Sequence, residues 1–214
     1  MKTIRFWFTK TGRLKFISHL DVNRTMYRLI KLADLPVLFS NGFNPRPQIT
    51  FALPLSLGVE SLCEVMDMKV DDTITPEEAM HRLDAVMPEG MKVLCAAEAV
   101  NDPKLIVRAS YRLTFDGDDA QTLADRFAAF WAQPEITVIK KNKSGEHPVD
   151  LKAHISVDAT TVENGKFIAD ITLPAGVSVN LNPSLLTDEF CRIADCCCSL
   201  LRTNIYLADG KEFN

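Results

Sequence analysis

The spacing of hydrophobic positions divides the first hundred residues into strands and helices. Four segments have the alternation or short apolar run typical of strands: 2–9, 49–53, 63–70 and 91–100. After the first of them, Ser18 and Asp21 form a variant of the capping box, and apolar residues recur at helical spacing as far as Leu35. Thr75 followed by Pro76 begins a second helix. This strand–helix–strand–strand–helix–strand order predicts a ferredoxin-like unit.

The same order recurs in the second half of the chain. Strands are predicted over 110–115, 135–140, 151–159, 166–173 and 201–207, with helices over 119–131 and 182–198 and a polar loop over 141–148. We therefore expect an α+β protein of two tandem ferredoxin-like (βαββαβ) units with antiparallel sheets. The first spans 1–101 and the second 106–214, with a linker between them.

Charge is unevenly distributed along the chain. The 214 residues are 47% hydrophobic, which excludes wholesale disorder, and the formal net charge of −4 argues against a generic basic nucleic-acid binder. However, residues 1–50 carry nine Lys and Arg against two acids, while residues 51–100 carry three against ten. Such segregation predicts one face built for an anion. The alternative is that the two oppositely charged segments are halves of one sheet and simply neutralise each other's charge.

The cysteines and the apolar runs limit the class of protein. No apolar run approaches the roughly 18 residues needed to span a bilayer, and no signal peptide is recognisable, so we expect a cytoplasmic protein with no membrane partner. The six cysteines are expected to be thiols. Cys191 and Cys196–Cys198 give a Cys-x4-Cys-Cys-Cys spacing, which fits no standard zinc or cluster pattern. We therefore expect neither a metal nor a cofactor.

The segment 39–61 has the densest candidate chemistry. A short strand at 37–40 is expected to lead into a stiff loop, where two prolines flank Arg46. A guanidinium on such a loop suits a phosphate or a carboxylate, and Phe43 beside it can stack on a base. In the alternative interpretation, Arg46 pairs with Glu60 or Glu64.

Two further groups of residues are candidates for anion binding. His19 is predicted in the first turn of a helix, where an anion is favoured, and Arg13 and Lys15 precede it. His19 and Asp21 are also the candidates for acid–base catalysis, and a simple helix cap is the alternative. A basic loop contains the other group, Lys140, Lys141 and Lys143, for which a solvated turn is the alternative.

Several motifs together resemble the radical-SAM-linked protein family, a domain of unknown function found with radical S-adenosylmethionine enzymes. They are Arg5-Phe6, Thr9-Lys10-Thr11-Gly12, Leu14 to Asp21, Ser40-x-Gly42-Phe43-x-Pro45-x-Pro47 and Phe51-Ala52-x-Pro54-Leu55-x-Leu57-Gly58-x-x-Ser61. The resemblance is strong over residues 1–100 and implies a radical S-adenosylmethionine enzyme as partner. Family members commonly have His where Arg46 stands, so no His-based catalysis is carried over from that loop.

The leading hypothesis is an accessory RNA-binding or substrate-presenting module that works with a radical S-adenosylmethionine enzyme in tRNA or rRNA modification. A non-enzymatic role is favoured over an enzymatic one. The expected contacts are Arg13, Lys15, His19, Arg24, Phe43, Arg46, Lys140, Lys141 and Lys143. One alternative is an RNA-acting enzyme, an endonuclease or a pseudouridine-synthase-like protein, that uses His19 with Lys15 or Asp21. Another is a protein-interaction adaptor that uses the acidic stretch 60–98. Phosphate-binding, dinucleotide-binding and serine-hydrolase motifs are absent from the sequence.

Overall fold

The computed structural model describes residues 1–117, 119–142, 145–177 and 179–213, without the side chains of residues 141 and 142. The chain is an α+β protein. Its strands are β1 (Lys2–Lys10), β2 (Ile49–Phe51), β3 (Val59–Val70), β4 (Met91–Glu98), β5 (Ile106–Asp116), β6 (Thr137–Asn142), β7 (Gly145–Asp150), β8 (Ser156–Glu163), β9 (Lys166–Pro174) and β10 (Cys197–Leu207). Its helices are α1 (His19–Leu32), α2 (Pro76–Asp84), α3 (Ala120–Trp131) and α4 (Ser184–Ala194).

The chain divides into two compact units. The first unit comprises Met1–Leu105 together with Phe213, and the second comprises Ile106–Glu212. In the first unit the strand order is β4-β1-β3-β2, and each neighbouring pair is antiparallel. In the second unit the order is β10-β5-β9-β8, again antiparallel throughout. The β6–β7 hairpin forms a separate two-stranded sheet.

The core of the first unit lies between its sheet and its helices. Ile4, Phe6 and Phe8 alternate along β1 and are fully buried, as the strand pattern predicts. The predicted apolar stripe of α1 is also confirmed, since Val22, Met26, Leu29, Ile30 and Ala33 are all buried. Burial of these two faces holds α1 on the sheet and fixes which of its sides meets solvent.

Strand register places two loops of the first unit at opposite ends of α1. Lys10 pairs with Ser61, so the 3₁₀ turn Gly12–Phe16 that follows β1 lies near the start of β3. Ile49 pairs with Met68, so the loop that precedes β2 lies near the end of β3. The turn leads into the first residue of α1, whereas the loop follows its last.

Two predicted elements of the first half differ from the structure. Residues 37–40 form no strand, because Val37 and Phe39 make only isolated pairings, with Val70 and Pro47 respectively. The strand predicted from residue 63 begins at Val59.

Several predicted elements of the second half differ as well. The strands predicted from residues 110 and 201 begin at Ile106 and Cys197. The predicted polar loop 141–148 belongs largely to the β6–β7 hairpin. The strand predicted from residue 151 begins at Ser156, because Leu151–Ala153 form a 3₁₀ turn. The helix predicted to reach Cys198 ends at Ala194, since Asp195 adopts a left-handed conformation with φ of 51°.

Among the helices of the described residues, none has both the length and the apolar character that a membrane crossing needs.

Candidate nucleic-acid interface

Positive side chains follow one side of α1 and the turn before it. Residues 12–32 contain five cations and a single acid. We call these five cations the basic stripe: Arg13, Lys15, Arg24, Arg28 and Lys31. Positions 24, 28 and 31 share a face of the helix, and all three side chains are exposed. With 14 residues in α1, the helical part of the stripe lies on a rod about 21 Å long.

The 3₁₀ turn holds the first end of the stripe in place. The Gly58 amide donates to the Lys15 carbonyl at 2.8 Å, and the Gly12 amide donates to Oε1 of Glu60 at 2.8 Å. The same Glu60 oxygen lies 3.9 Å from Nζ of Lys15. One acid of the 60–98 stretch is therefore interleaved with the predicted cations, and it partly neutralises Lys15. Arg13 is exposed beside this pair.

Ser18 and Asp21 form the helix cap expected from the sequence. The Ser18 hydroxyl accepts from the Asp21 amide at 3.2 Å and donates to Oδ2 of Asp21 at 2.6 Å. These hydrogen bonds, together with Arg24, lower the pKa of the Asp21 carboxyl. Nη1 of Arg24 lies 3.4 Å from Oδ1 of Asp21. Asp21 is therefore occupied as a cap and as the partner of one stripe cation.

His19 packs against the sheet. Its ring meets the ring of Phe51 edge to face, with centroids 5.1 Å apart. Within the described residues, no hydrogen bond joins the His19 side chain to Lys15 or to Asp21. The geometry gives His19 a packing contact and brings neither candidate catalytic partner onto its ring.

The loop between α1 and β2 is built as a short hairpin. The Gln48 amide donates to the Leu38 carbonyl at 2.8 Å, and the Ser40 amide donates to the Arg46 carbonyl at 2.9 Å. The Arg46 amide returns a bond of 3.1 Å to Oγ of Ser40. Gly42, with φ of 125°, turns the chain at the tip, where Phe43 is fully exposed. This network presents Phe43 and Arg46 to solvent on a pre-organised loop.

Arg46 does not pair with an acid of β3. Its side chain is exposed, and in the described part of the chain its guanidinium makes no ion pair. The pairing with Glu60 or Glu64 that the sequence left open is therefore absent. Glu60 instead bonds the turn at the other end of α1.

The predicted contacts of the first unit form a row along α1. Arg13, Lys15 and His19 lie at its first end, Arg24 lies on the helix, and Phe43 with Arg46 lie on the loop after its last turn. Sequence reasoning omitted Arg28 and Lys31, which link the two ends. Their spacing of four and seven residues from Arg24 is a signal that identifies them.

Exposed apolar side chains accompany the first end of the stripe. Phe16 is 68% exposed, Leu20 58% and Leu57 65%. Nζ of Lys15 lies 5.5 Å from the centroid of the Phe16 ring. The sequence analysis missed these three residues, because their apolar character indicates a core rather than a surface.

The predicted contacts of the second unit are less available. Nζ of Lys140 donates to the backbone carbonyl of Asn180 at 2.7 Å. The side chain of Lys141 and the whole of Lys143 lie outside the described residues. Among the residues that the structure describes, no group of three or more His, Cys, Asp and Glu side chains is placed to hold a metal ion.

Two solved structures that resemble this chain do so at low sequence identity. A chain of a Cbf5-Nop10-Gar1 complex aligns over 94% of this chain with 11% identity and a TM-score of 0.48, and this chain spans 49% of its length. An unknown protein from Galdieria sulphuraria aligns over 94% of this chain and 98% of its own, with 10% identity and a TM-score of 0.28. Both TM-scores are too low to support a functional argument.

Comparison with protein families gives a clear assignment. Curated proteins yielded no match. Residues 3–183, however, match the family described as "Uncharacterized protein conserved in bacteria (DUF2344)", a description that names no reaction and no partner. The matched range contains nearly all of β1, the basic stripe, the Phe43 loop and most of the second unit. The chain therefore belongs to the bacterial family DUF2344.

Proposed function

We propose that this protein is an accessory RNA-binding module of two ferredoxin-like units, which presents a tRNA or rRNA substrate to a radical S-adenosylmethionine enzyme. The observation that carries the RNA part is the basic stripe along α1. The fold part is supported by the order of the four main strands, which is fourth–first–third–second in both units. The partner part rests on the sequence motifs of residues 1–61.

The length and chemistry of the stripe suit a nucleic-acid backbone. At the rise of about 3.4 Å per phosphate along one strand of a double helix, the 21 Å of α1 correspond to roughly six phosphates. Arg24, Arg28 and Lys31 would neutralise part of that charge from one helix face. Exposed aromatic rings lie near the two ends of the stripe, Phe16 at one and Phe43 at the other. Rings in such positions stack on unpaired bases with little regard for sequence.

The net charge of −4 is compatible with this proposal because the acids of the 51–100 stretch lie mostly elsewhere. Glu77, Glu78 and Asp84 belong to α2. Among the described residues, Asp21 and Glu60 are the two carboxylates within 4 Å of a stripe cation. The local surface of α1 is thus positive although the net charge of the chain is negative. We expect the affinity for RNA to be modest and strongly dependent on salt.

The test is RNA binding measured by fluorescence anisotropy over a series of salt concentrations. Each phosphate contact with a single strand contributes about −0.7 to the slope of log K against log [salt], so five contacts give about −3.5. The Arg24→Ala/Arg28→Ala/Lys31→Ala variant should weaken binding and reduce the steepness by about 2. A matched control, Lys69→Ala/Lys92→Ala/Lys104→Ala, removes three exposed cations of the same unit that lie outside the stripe.

The control should bind RNA as the wild type does. Binding that does not depend on salt, or an equal loss in both triple variants, would contradict the proposal. A second variant, Lys15→Ala/Arg46→Ala, tests the two ends of the row and should also weaken binding.

A protein-interaction adaptor is the second candidate function, and the exposed apolar group favours it. Phe16, Leu20 and Leu57 expose apolar surface at the first end of α1. Purification of the protein together with the radical S-adenosylmethionine enzyme, before and after nuclease treatment, separates the two candidates. Complex formation that survives nuclease and is lost in Phe16→Ser/Leu57→Ser, without any RNA binding, would favour the adaptor.

A further inference from the structure

A cleft of about 380 Å³ opens beside the last turns of α1. Its walls include Tyr27, Lys31 and Asp34 from the helix and its end, and Phe39 and Pro47 from the loop that follows. The volume falls within the range of pockets that hold small organic molecules. The cleft lies at the end of α1 where the basic stripe meets the Phe43 loop.

The two walls of the cleft are fixed by hydrogen bonds. On the helix side, the Leu35 amide donates to the Ile30 carbonyl at 3.2 Å, and Asp34 has φ of 49°, so the helix closes with a left-handed residue. On the loop side, Phe39 pairs with Pro47, and Nε2 of Gln48 donates to the Phe39 carbonyl at 2.9 Å. The cleft is therefore formed before any ligand binds.

The cleft is lined by two aromatic rings, one hydrogen-bond donor and one hydrogen-bond acceptor. Tyr27 and Phe39 provide rings, and Phe39 is 53% exposed. Lys31 brings an ammonium and Asp34 a carboxylate, and in the described chain neither side-chain charge has a hydrogen bond or an ion pair. A carboxylate in the lining disfavours a phosphate inside the cleft. A flat, uncharged ring with an acceptor edge and a donor edge fits this set of groups.

We propose that this cleft binds a guanine base of single-stranded RNA, an inference that rests on the proposed RNA-binding function. Guanine has acceptors at O6 and N7, which suit the Lys31 ammonium, and an N2 amino donor, which suits the Asp34 carboxylate. Its faces would stack on the rings of Tyr27 and Phe39. Arg46, one residue before Pro47, would hold the phosphate of the same or the next nucleotide.

The experiment compares short single-stranded RNAs that differ at one position. An oligonucleotide with a single guanine in a uracil background should bind the wild type about tenfold more tightly than the same chain with adenine or inosine there. Inosine lacks only the N2 amino group, so it isolates the contact with Asp34. Asp34→Gly removes the carboxylate that would accept from N2, and glycine suits the left-handed backbone at this position. It should abolish the preference for guanine over inosine.

Two controls separate this inference from the proposed function. Glu77→Gln removes an exposed carboxylate from α2 and should leave the guanine preference unchanged. Phe39→Ala should weaken the binding of guanine-containing and inosine-containing RNA equally, and the salt dependence of RNA binding should stay the same. Salt-dependent binding without any preference for guanine in the wild type would overturn the guanine cleft and leave the proposed function standing. A preference for guanine over inosine that persists in Asp34→Gly would overturn the cleft as well.

A free nucleotide tests the cleft without the stripe. Millimolar guanosine monophosphate should shift the NMR signals of Tyr27 and Phe39 in the full chain, and adenosine monophosphate should shift them less. Shifts with the nucleotide but no RNA binding would support the cleft and contradict the proposed function. An absence of shifts at these residues would overturn the guanine assignment, whether or not the protein binds RNA.

Discussion

The ring of His19 stands almost perpendicular to the ring of Phe51, with an interplanar angle of 84° and centroids 5.1 Å apart. Phe51 in turn meets Phe8, which is fully buried on β1, at 6.3 Å. The first turn of α1 is thus tied to the sheet through a row of three rings. The histidine that the sequence offers for proton transfer makes an aromatic contact with Phe51 and, among the described residues, no hydrogen bond to a carboxylate.

We predict that His19→Ala lowers the free energy of unfolding by about 1 kcal/mol, the typical value of an aromatic pair. His19→Phe should keep most of that stability. Urea unfolding of the full chain measures both variants. His81→Ala, on the exposed face of α2, is the control and should change stability by less than about 0.5 kcal/mol. An RNA-cleaving activity of the wild type that vanishes in His19→Phe would instead restore the catalytic interpretation.

Secondary structure could be predicted from sequence where a segment has one apolar, buried face and one polar, exposed face. The elements of the first unit were largely predictable because β1 and α1 each have a buried face and an exposed face. Strand β7 was missed because residues 145–148 are all exposed, including His147 opposite Lys140, and so give no such contrast. The end of α4 was missed because Asp195 takes a left-handed conformation that more often belongs to Gly.

The candidate site was predictable in its residue types and unpredictable in its arrangement. The charges near His19 and the stiffness around Arg46 follow from local sequence. Chain order places these two groups before and after α1, but their positions near the start and the end of β3 depend on the registers of β1 and β2 against β3. The role of Lys31 in both the stripe and the cleft likewise needs the folded loop beside it.

A buried ion pair in the first unit gives a second prediction. Nε and Nη2 of Arg5 donate to the two carboxylate oxygens of Asp67 at 2.7 and 2.8 Å, and Nη2 also donates to the Asn101 carbonyl at 2.6 Å. The guanidinium carbon lies 4.4 Å from the ring centroid of Phe213. Because Arg5 is fully buried, Asp67→Ala leaves a desolvated charge and should cost about 3 kcal/mol of unfolding free energy.

The second unit offers a matched control for this pair. Asp170 receives the same two-bond contact from Arg112, at 2.8 and 3.0 Å, but the Arg112 side chain is half exposed. Asp170→Ala should cost between zero and about 1 kcal/mol. Equal losses in the two variants, measured by urea unfolding, would contradict the role assigned to burial.

Gly90 is expected to resist substitution. Its φ is +89°, and a Cβ there would lie 2.5 Å from the carbonyl oxygen of Thr11. The Thr11 amide donates to the Gly90 carbonyl at 2.8 Å, so the two segments have little room to separate. Gly90→Ala should lower the unfolding free energy by about 2 kcal/mol or more, since a backbone clash adds to the left-handed strain.

Gly165 supplies the comparison for Gly90. It also has a positive φ, +72°, but a Cβ would meet no atom within 4 Å. Gly165→Ala should therefore cost only the backbone strain, about 1 kcal/mol. Thermal unfolding of both variants measures the difference, and a larger loss at Gly165 would refute the clash.

The N-terminal cap of α1 makes the stability of the fold depend on pH in the acid range. The hydroxyl of Ser18 stabilises the Asp21 carboxylate and lowers its pKa below the usual 3.8. A carboxyl with a lowered pKa stabilises the fold above its unfolded pKa, and that contribution is lost as pH falls through the folded pKa. Ser18→Ala should raise the pKa of Asp21 in an NMR titration. Loss of the N-cap hydrogen bond to the Asp21 amide should separately lower the unfolding free energy by about 1 kcal/mol. An unchanged pKa of Asp21 would show that Ser18 is not its main partner.

The thiol pair at the end of α4 should make the second unit sensitive to alkali. Sγ of Cys191 lies 3.6 Å from Sγ of Cys196, and burial together with this neighbour raises the pKa of Cys191 to about 12. A raised pKa means that the folded state holds the proton more tightly than the unfolded state, whose thiol titrates near 9. The stabilisation is therefore complete below pH 9 and is lost as pH rises towards 12.

At pH 8 the folded thiol at Cys191 is almost entirely protonated, because its pKa lies well above that pH. Iodoacetamide should therefore label Cys191 far more slowly in the native protein than in urea, as mass spectrometry of the peptides can show. Cys191→Ser should reduce the loss of stability between pH 9 and 12, because the variant lacks the titrating group. Rapid native labelling of Cys191 at pH 8 would contradict the raised pKa, since only the thiolate reacts.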